Sequence, residues 1–149
     1  MSEDYQIDQS LGYGVSILYA LMKAEMEGRF KAQGYDITVP QWILLNRLWE
    51  KDGVSQSELV EVTWKDKTNI ARMVARLEEK GLVERQRGGR DHRQQCVYLT
   101  PAGRQLEHVM KPLAAQMLQD SLRGIPEDAL ATVQATLWQV IRNLTEIEE

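Results

Sequence analysis

Between Trp64 and Tyr98 the chain carries hydrogen-bond donors at helical spacing. Thr68, Asn69, Arg72 and Arg76 share the polar side of a helix predicted from Asp66 onward, and Lys65 and Lys67 lie at its start. Ile70, Val74 and Leu77, with Met73 at the edge, make an apolar stripe on another side. An arginine fork matches the O6 and N7 acceptors of guanine, and an asparagine amide matches N6 and N7 of adenine. Such a face suits the edges of bases in a major groove. Arg87, Arg90 and Arg93 then surround a Gly88-Gly89 tip, and a hairpin with arginine at its end suits a narrow minor groove, where negative potential is concentrated. Asp91 is repelled by phosphate, so its expected partner is Arg93 or Arg76, and its expected role is to set the hairpin's angle.

The elements that must position these groups follow from local signals. Asp66 is an N-cap, its short side-chain oxygen facing free backbone N–H groups, and Gly81 ends the helix as a left-handed C′ residue. Leu82–Arg85 and Gln95–Leu99 read as the two strands of the hairpin. Upstream, Ser55-x-x-Glu58 is a capping box opening a short helix through Leu59 and Val62. The N-terminus of that helix, with Ser55 and Ser57, can face a phosphate through its free N–H groups. Trp64 and Lys65 form the turn between the two helices. Thr38-x-x-Gln41 opens a further helix through Trp42, Leu45, Leu48 and Trp49, ended by Asp52-Gly53.

Long helices flank this core. Leu11, Val15, Leu18, Tyr19, Met22, Met26 and Phe30 follow a three-to-four-residue period over Leu11–Phe30, with Gly34 as the expected C-cap. Thr100 caps and Pro101 opens a helix through Leu106, Val109 and Met110 that is expected to kink at Pro112 and to resume to about Leu122. Gly124-Ile125-Pro126 breaks the chain before a last helix through Leu130, Leu137, Ile141 and Ile147. The pattern predicts a mainly α fold with a small antiparallel β-wing: a winged helix-turn-helix core between long N- and C-terminal helices. A winged helix needs only the middle of the chain. The outer helices are therefore expected to join two copies, because a helix-turn-helix dimer reads two half-sites at once.

Composition sets the bounds. The 149 residues suit one domain. The net charge of −4 argues against nucleic acid until its distribution is considered. Residues 64–93 hold nine of the 18 basic residues against five acidic ones, so this segment is +4 and the remainder −8. A local basic face on an acidic body is the footprint of a DNA-binding surface. No apolar run is long enough to span a membrane, and no signal-peptide core is present, so a cytoplasmic protein is expected. Cys96 is the only cysteine, which rules out an intrachain disulfide. His92 and His108 are far apart and no His/Cys cluster has zinc spacing, so neither metal nor cofactor is expected. No G-x-S-x-G or P-loop motif occurs, and an enzyme is not expected.

Residues 66–85, D-K-T-N-I-A-R-M-V-A-R-L-E-E-K-G-L-V-E-R, resemble the recognition helix of the MarR family of bacterial and archaeal regulators. Asp91-His92-Arg93 matches that family's D-x-R wing motif, and Leu99-Thr100-Pro101-Ala102-Gly103 is similar to its L-T-x-x-G exit. The resemblance implies a single domain over residues 1–149, with residues 38–99 as the DNA-binding lobe and residues 1–37 and 100–149 as dimerisation helices. It implies a homodimeric, sequence-specific regulator of double-stranded DNA, taken here as a repressor, on a near-palindromic operator. It also implies a crevice between the dimerisation helices and the DNA-binding lobe that accepts a small aromatic or phenolic effector. Met22, Met26, Trp42 and Trp64 are the expected lining. Some members sense oxidants through a cysteine near the start of the first helix, and this sequence has none there. Cys96 reads as a small packing residue, with a redox role, assisted by Arg85 and Arg93, as the alternative. A winged helix docking on another protein is the other alternative, although its wing would be expected to lose arginine.

Overall fold

The computed structural model describes residues 6–87 and 94–146. The chain divides into two compact units, 1–115 and 116–149. After a short 3-10 turn at Ile7–Gln9, the first unit contains α1 (Leu11–Ala32), α2 (Val39–Glu50), β1 (Val54–Ser55), α3 (Gln56–Thr63), α4 (Lys67–Glu79), β2 (Val83–Arg87) and β3 (Gln95–Leu99). The helix α5 (Pro101–Ser121) runs across the boundary between the units, and α6 (Glu127–Glu146) belongs to the second.

The capping signals do what their chemistry requires. Thr38 Oγ1 accepts the Gln41 N–H at 3.3 Å and Gln41 Oε1 accepts the Thr38 N–H at 3.2 Å, which completes the box at the start of α2. The carboxylate of Glu27 on α1 accepts the Val39 N–H at 2.8 Å, a negative charge at the positive end of the α2 dipole. Ser55 Oγ accepts the Glu58 N–H at 3.1 Å to start α3. Gly81 takes φ +71°, and the N–H of Leu82 reaches back to the Leu77 carbonyl at 3.0 Å, a Schellman-type stop for α4.

The stripe predicted on α4 forms the centre of the core: Ile70, Val74 and Leu77 are fully buried with Leu44, Leu45, Leu48 and Leu59 from α2 and α3. Val97 of β3 and Val83 of β2 close it from the sheet side, and Phe30, at the end of α1, is fully buried too. The rest of the α1 period behaves differently. Leu11, Val15, Leu18 and Tyr19 are exposed, so the first half of α1 presents its apolar residues outside the core of its own lobe.

Two features depart from expectation. The sheet has three strands, order β1-β3-β2, all antiparallel, with Val54 opposite Val97 and Val83 opposite Leu99. The two-residue β1 is too short to show alternation in sequence. Pro112 does not interrupt α5, which is one helix from Pro101 to Ser121. Proline removes one backbone donor, and at an exposed position the helix carries that loss without ending.

The L-T-x-x-G segment has a structural reason. Thr100 Oγ1 donates to the Gly81 carbonyl at 2.6 Å and accepts the Gly103 N–H at 3.1 Å, which joins the end of the α4 turn to the start of α5. A Cβ on Gly103 would lie 2.1 Å from the Leu82 carbonyl oxygen, so only glycine fits this crossing. The Trp49 indole N–H donates to the Gly103 carbonyl at 2.9 Å and fixes the same crossing from α2.

Candidate nucleic-acid interface

The polar side of α4 is assembled as its spacing requires. Lys67, Thr68, Asn69, Arg72 and Arg76 are all exposed, and Lys65 is half-buried. At about 100° per residue, Thr68 and Arg72 lie opposite the buried Ile70–Val74–Leu77 stripe. Asn69 and Arg76 lie on one flank, where they border a groove of about 290 Å³ together with Thr38, Gln41 and Lys23. Among the described residues Arg72 and Arg76 have no acidic partner. Asn69 is engaged: Asp66 Oδ1 accepts its backbone N–H at 2.8 Å and Asp66 Oδ2 accepts its side-chain amide at 2.9 Å. Only its side-chain carbonyl and second amide hydrogen are left for a ligand.

Two tie points, neither predicted as such, hold the wing: one fixes it to α4, the other to the α2–β1 turn. Glu78 Oε2 accepts the Arg85 backbone N–H at 3.0 Å and Glu78 Oε1 accepts from the Arg85 guanidinium at 3.0 Å. The Arg85 guanidinium and the Arg85 N–H hold the Glu78 carboxyl below its ordinary range. Asp52 Oδ1 accepts the Leu99 N–H at 2.8 Å, and its Oδ2 accepts from Arg104 at 2.8 Å, so the α2–β1 turn grips the end of β3 and the start of α5. Asp52 reads in sequence only as a helix-ending residue. Its role depends on a partner 47 positions away.

The remaining expected residues fall into three groups. Ser57 and Arg87 are exposed, at the start of α3 and the end of β2. Arg90, Asp91 and Arg93, with His92, lie outside the described residues. Ser55 is a correction: it is 5% exposed, it pairs with Cys96 in the sheet, and its Oγ is consumed by the α3 cap. It shapes the start of α3, and burial keeps its hydroxyl from being presented to a ligand.

The expected effector lining does not assemble around its two indoles. Trp42 packs against Phe30 and Trp49, with ring centroids 5.5 and 5.6 Å apart, and Met26 packs on the same core. Met22 is half-buried on α1. Trp64 is 65% exposed and makes no ring contact with Trp42 or any other described residue. A cavity of about 640 Å³ instead opens at the α1–α2 junction, with Tyr35 and Ile37 on one side, Lys80 and Leu82 on another, and Leu106 and Val109 of α5 closing it. Its walls come from distant segments, which is why no stretch of sequence announces it. The Lys80 ammonium donates to the Asp36 carbonyl and, at 3.2 Å, to Gln41 Oε1, both neutral acceptors.

A helix-turn-helix whose second helix turns outward a basic face with no acidic partner among the described residues, followed by a β2–β3 hairpin, is a DNA-reading arrangement. Comparison with known proteins gives the same answer. The model of the MarR family matches residues 35–94, the lobe that carries these elements. The chain is 28% identical over 109 residues to the transcriptional regulator HosA of Escherichia coli O127:H6, covering 73% of this chain and 78% of that one. It superimposes on a MarR transcriptional regulator from Methanosarcina mazei with a TM-score of 0.79 and 28% identity, over 92% of this chain and 97% of the other. The chain is similar to the MarR family, through its central lobe in the family model and over most of its length in these two relatives. What it resembles is a DNA-binding transcriptional regulator of the MarR type. The structure of reduced AbfR bound to DNA is also similar, with a TM-score of 0.73 and 25% identity over 90% of each chain. Among the described residues no helix is long and apolar enough to cross a membrane.

Proposed function

We propose that this chain acts as a MarR-type homodimeric repressor that reads a near-palindromic operator and releases it when a small effector binds. The observation that carries the DNA-reading part is the outward face of α4, where Lys67, Thr68, Arg72 and Arg76 stand exposed and, among the described residues, without acidic partners. Ser57, Lys65, Asn69 and Arg87 flank it, and Arg90, Asp91 and Arg93 continue the same basic sequence into the wing tip. Occupying the operator excludes other proteins from that DNA, which is repression.

The dimer is supported by apolar surface on each unit separately. Leu11, Leu18 and Leu21 of α1 are 54%, 55% and 65% exposed. On α6, Val133, Trp138 and Leu144 are 53%, 53% and 62% exposed. Faces of this kind mark an interaction surface. A second copy supplies a matching one, since a two-fold interface is made of the same patch twice.

The effector reading is supported by the cavity beside Lys80. Its apolar walls suit an aromatic or aliphatic body, and the Lys80 ammonium, held by neutral oxygens alone, suits a carboxylate or phenolate. Lys80 directly follows α4 and Leu82 leads into β2, so a ligand here bears on the roots of both reading elements. A ligand that prefers the state with these roots displaced lowers DNA affinity by that same free-energy difference. Cys96, half-buried on β3, supports a packing role.

The test is a fluorescence anisotropy titration of labelled genomic duplexes. Wild type is expected to bind at low salt and to lose affinity steeply as salt rises, since each neutralised phosphate releases a counterion. A panel of small aromatic and aliphatic acids is then added to the complex. A releasing acid is expected among them, and Val109→Trp, which fills the cavity from its rim, is expected to bind DNA normally and ignore that acid. Absence of binding at low salt contradicts the DNA reading. Release that persists in Val109→Trp contradicts the cavity alone.

A further inference from the structure

Trp64 adopts φ +59° and ψ +23° at the end of α3. It is the only non-glycine among the described residues with positive φ; the others are Gly34, Gly53, Gly81 and Gly124. A bulky side chain is disfavoured in the left-handed region, and such residues persist where a site needs them. Trp64 is also the most exposed of the four tryptophans, at 65%. Its indole makes no hydrogen bond or ring contact among the described residues. Glycine would end α3 at this backbone geometry without strain and without leaving a large apolar ring in water. Nothing that Trp64 does for the fold requires tryptophan.

Its position suggests what does. Trp64 stands in the turn between α3 and α4, two residues before the Asp66 cap and between Thr63 and Lys65, with Lys67 one residue beyond the cap. In a helix-turn-helix the N-terminal end of the second helix enters the major groove, so the turn before it lies along the groove wall, which is sugar and phosphate. The indole has one polar group, the Nε1–H donor, and phosphate oxygens are acceptors only. The ring face is broad enough to cover a deoxyribose, and the neighbouring lysines bring the charge that draws phosphate to the turn.

We infer that Trp64 is a DNA-contacting residue, its indole laid on the sugar–phosphate backbone at the edge of the groove that α4 enters, with Nε1–H donating to a phosphate oxygen. This rests on α4 being the DNA reader and adds a residue to it. Such a contact positions the protein and carries no sequence information, so its loss weakens cognate and unrelated duplexes alike.

The test compares wild type with Trp64→Gly and Trp64→Phe. Glycine removes the ring and the backbone strain together, so Trp64→Gly is expected to fold with an unchanged or higher Tm. It is expected to bind both duplexes roughly ten- to a hundredfold more weakly, the size of one hydrogen bond to a charged group. Trp64→Phe keeps a ring, loses the donor, and is expected to lie between the two. Adding DNA to wild type is expected to quench part of the tryptophan emission and shield it from acrylamide, and Trp64→Phe is expected to lose that part of the change. Two results overturn the inference: Trp64→Gly that folds and binds both duplexes as wild type does, or a DNA-induced fluorescence change that is the same in Trp64→Phe. The fluorescence comparison decides the matter even if the glycine variant folds poorly. If wild type binds no DNA at low salt, the reading beneath the inference fails first, and that result is distinct from a Trp64-specific one.

Discussion

Arg72 and Asn69 are neighbours on α4 with different freedom. Arg72 is exposed, opposite the buried stripe and without an acidic partner among the described residues, whereas Asn69 is held by both oxygens of Asp66. Arg72 is therefore the better placed to read a base, and Arg87, at the end of β2, the better placed to meet the backbone. Arg72→Ala is expected to cost about 1–3 kcal/mol on a cognate duplex and to flatten discrimination against a scrambled one. Arg87→Ala is expected to weaken both evenly and reduce the salt slope by about 1 per subunit. Salt titrations of the two variants on both duplexes check this; equal losses for Arg72→Ala on both would remove it as a base reader. At this scale, cap chemistry was legible in the sequence. Thr38, Gln41, Ser55 and Asp66 bond backbone groups three positions away, so spacing alone reveals them. What Ser55 has left over was not legible, because its burial comes from pairing β1 with β3, and neither strand knows of the other locally. The role of Asp52 was hidden for the same reason, since it depends on Leu99 and Arg104, and the left-handed backbone of Trp64 was hidden because its residue type does not signal it.

At the scale of elements, the helices were readable because their apolar periods and caps agree, and α4 was the clearest since its stripe and its basic side are separate. The strand β1 and the unbroken α5 were not, since two residues carry no period and proline alone does not reveal whether its helix continues. The link between α4 and the wing is the Glu78–Arg85 pair, and it sets a pH dependence. The Glu78 carboxyl is depressed by the Arg85 guanidinium and backbone N–H, so the tie is present above the unfolded-state value, about 4.3, and is lost as pH falls through the lower folded value. The Arg85 amide resonance is expected to titrate with a midpoint below about 4.3, and Glu78→Gln is expected to abolish that titration. A midpoint at or above the ordinary glutamate value would contradict the tie. Both side chains are partly exposed, so the effect belongs to wing placement more than to global stability.

The whole molecule carries its charge unevenly, +4 over residues 64–93 and −8 elsewhere. The net negative charge outside that segment disfavours DNA there, so encounter favours the reader, and steering of this kind fades with salt. The exposed apolar residues of α1, and separately those of α6, are where the proposed second copy would dock. A dimer with two reading heads requires two half-sites related by two-fold symmetry and spaced by about one helical turn, roughly 10 bp. The most direct measurement is repeated selection of bound duplexes from a random DNA pool at physiological salt, followed by sequencing. Enrichment of an inverted repeat with that spacing is the expected result. Recovery of an isolated half-site, or of DNA with no shared sequence, would contradict a dimeric reader of a palindromic operator.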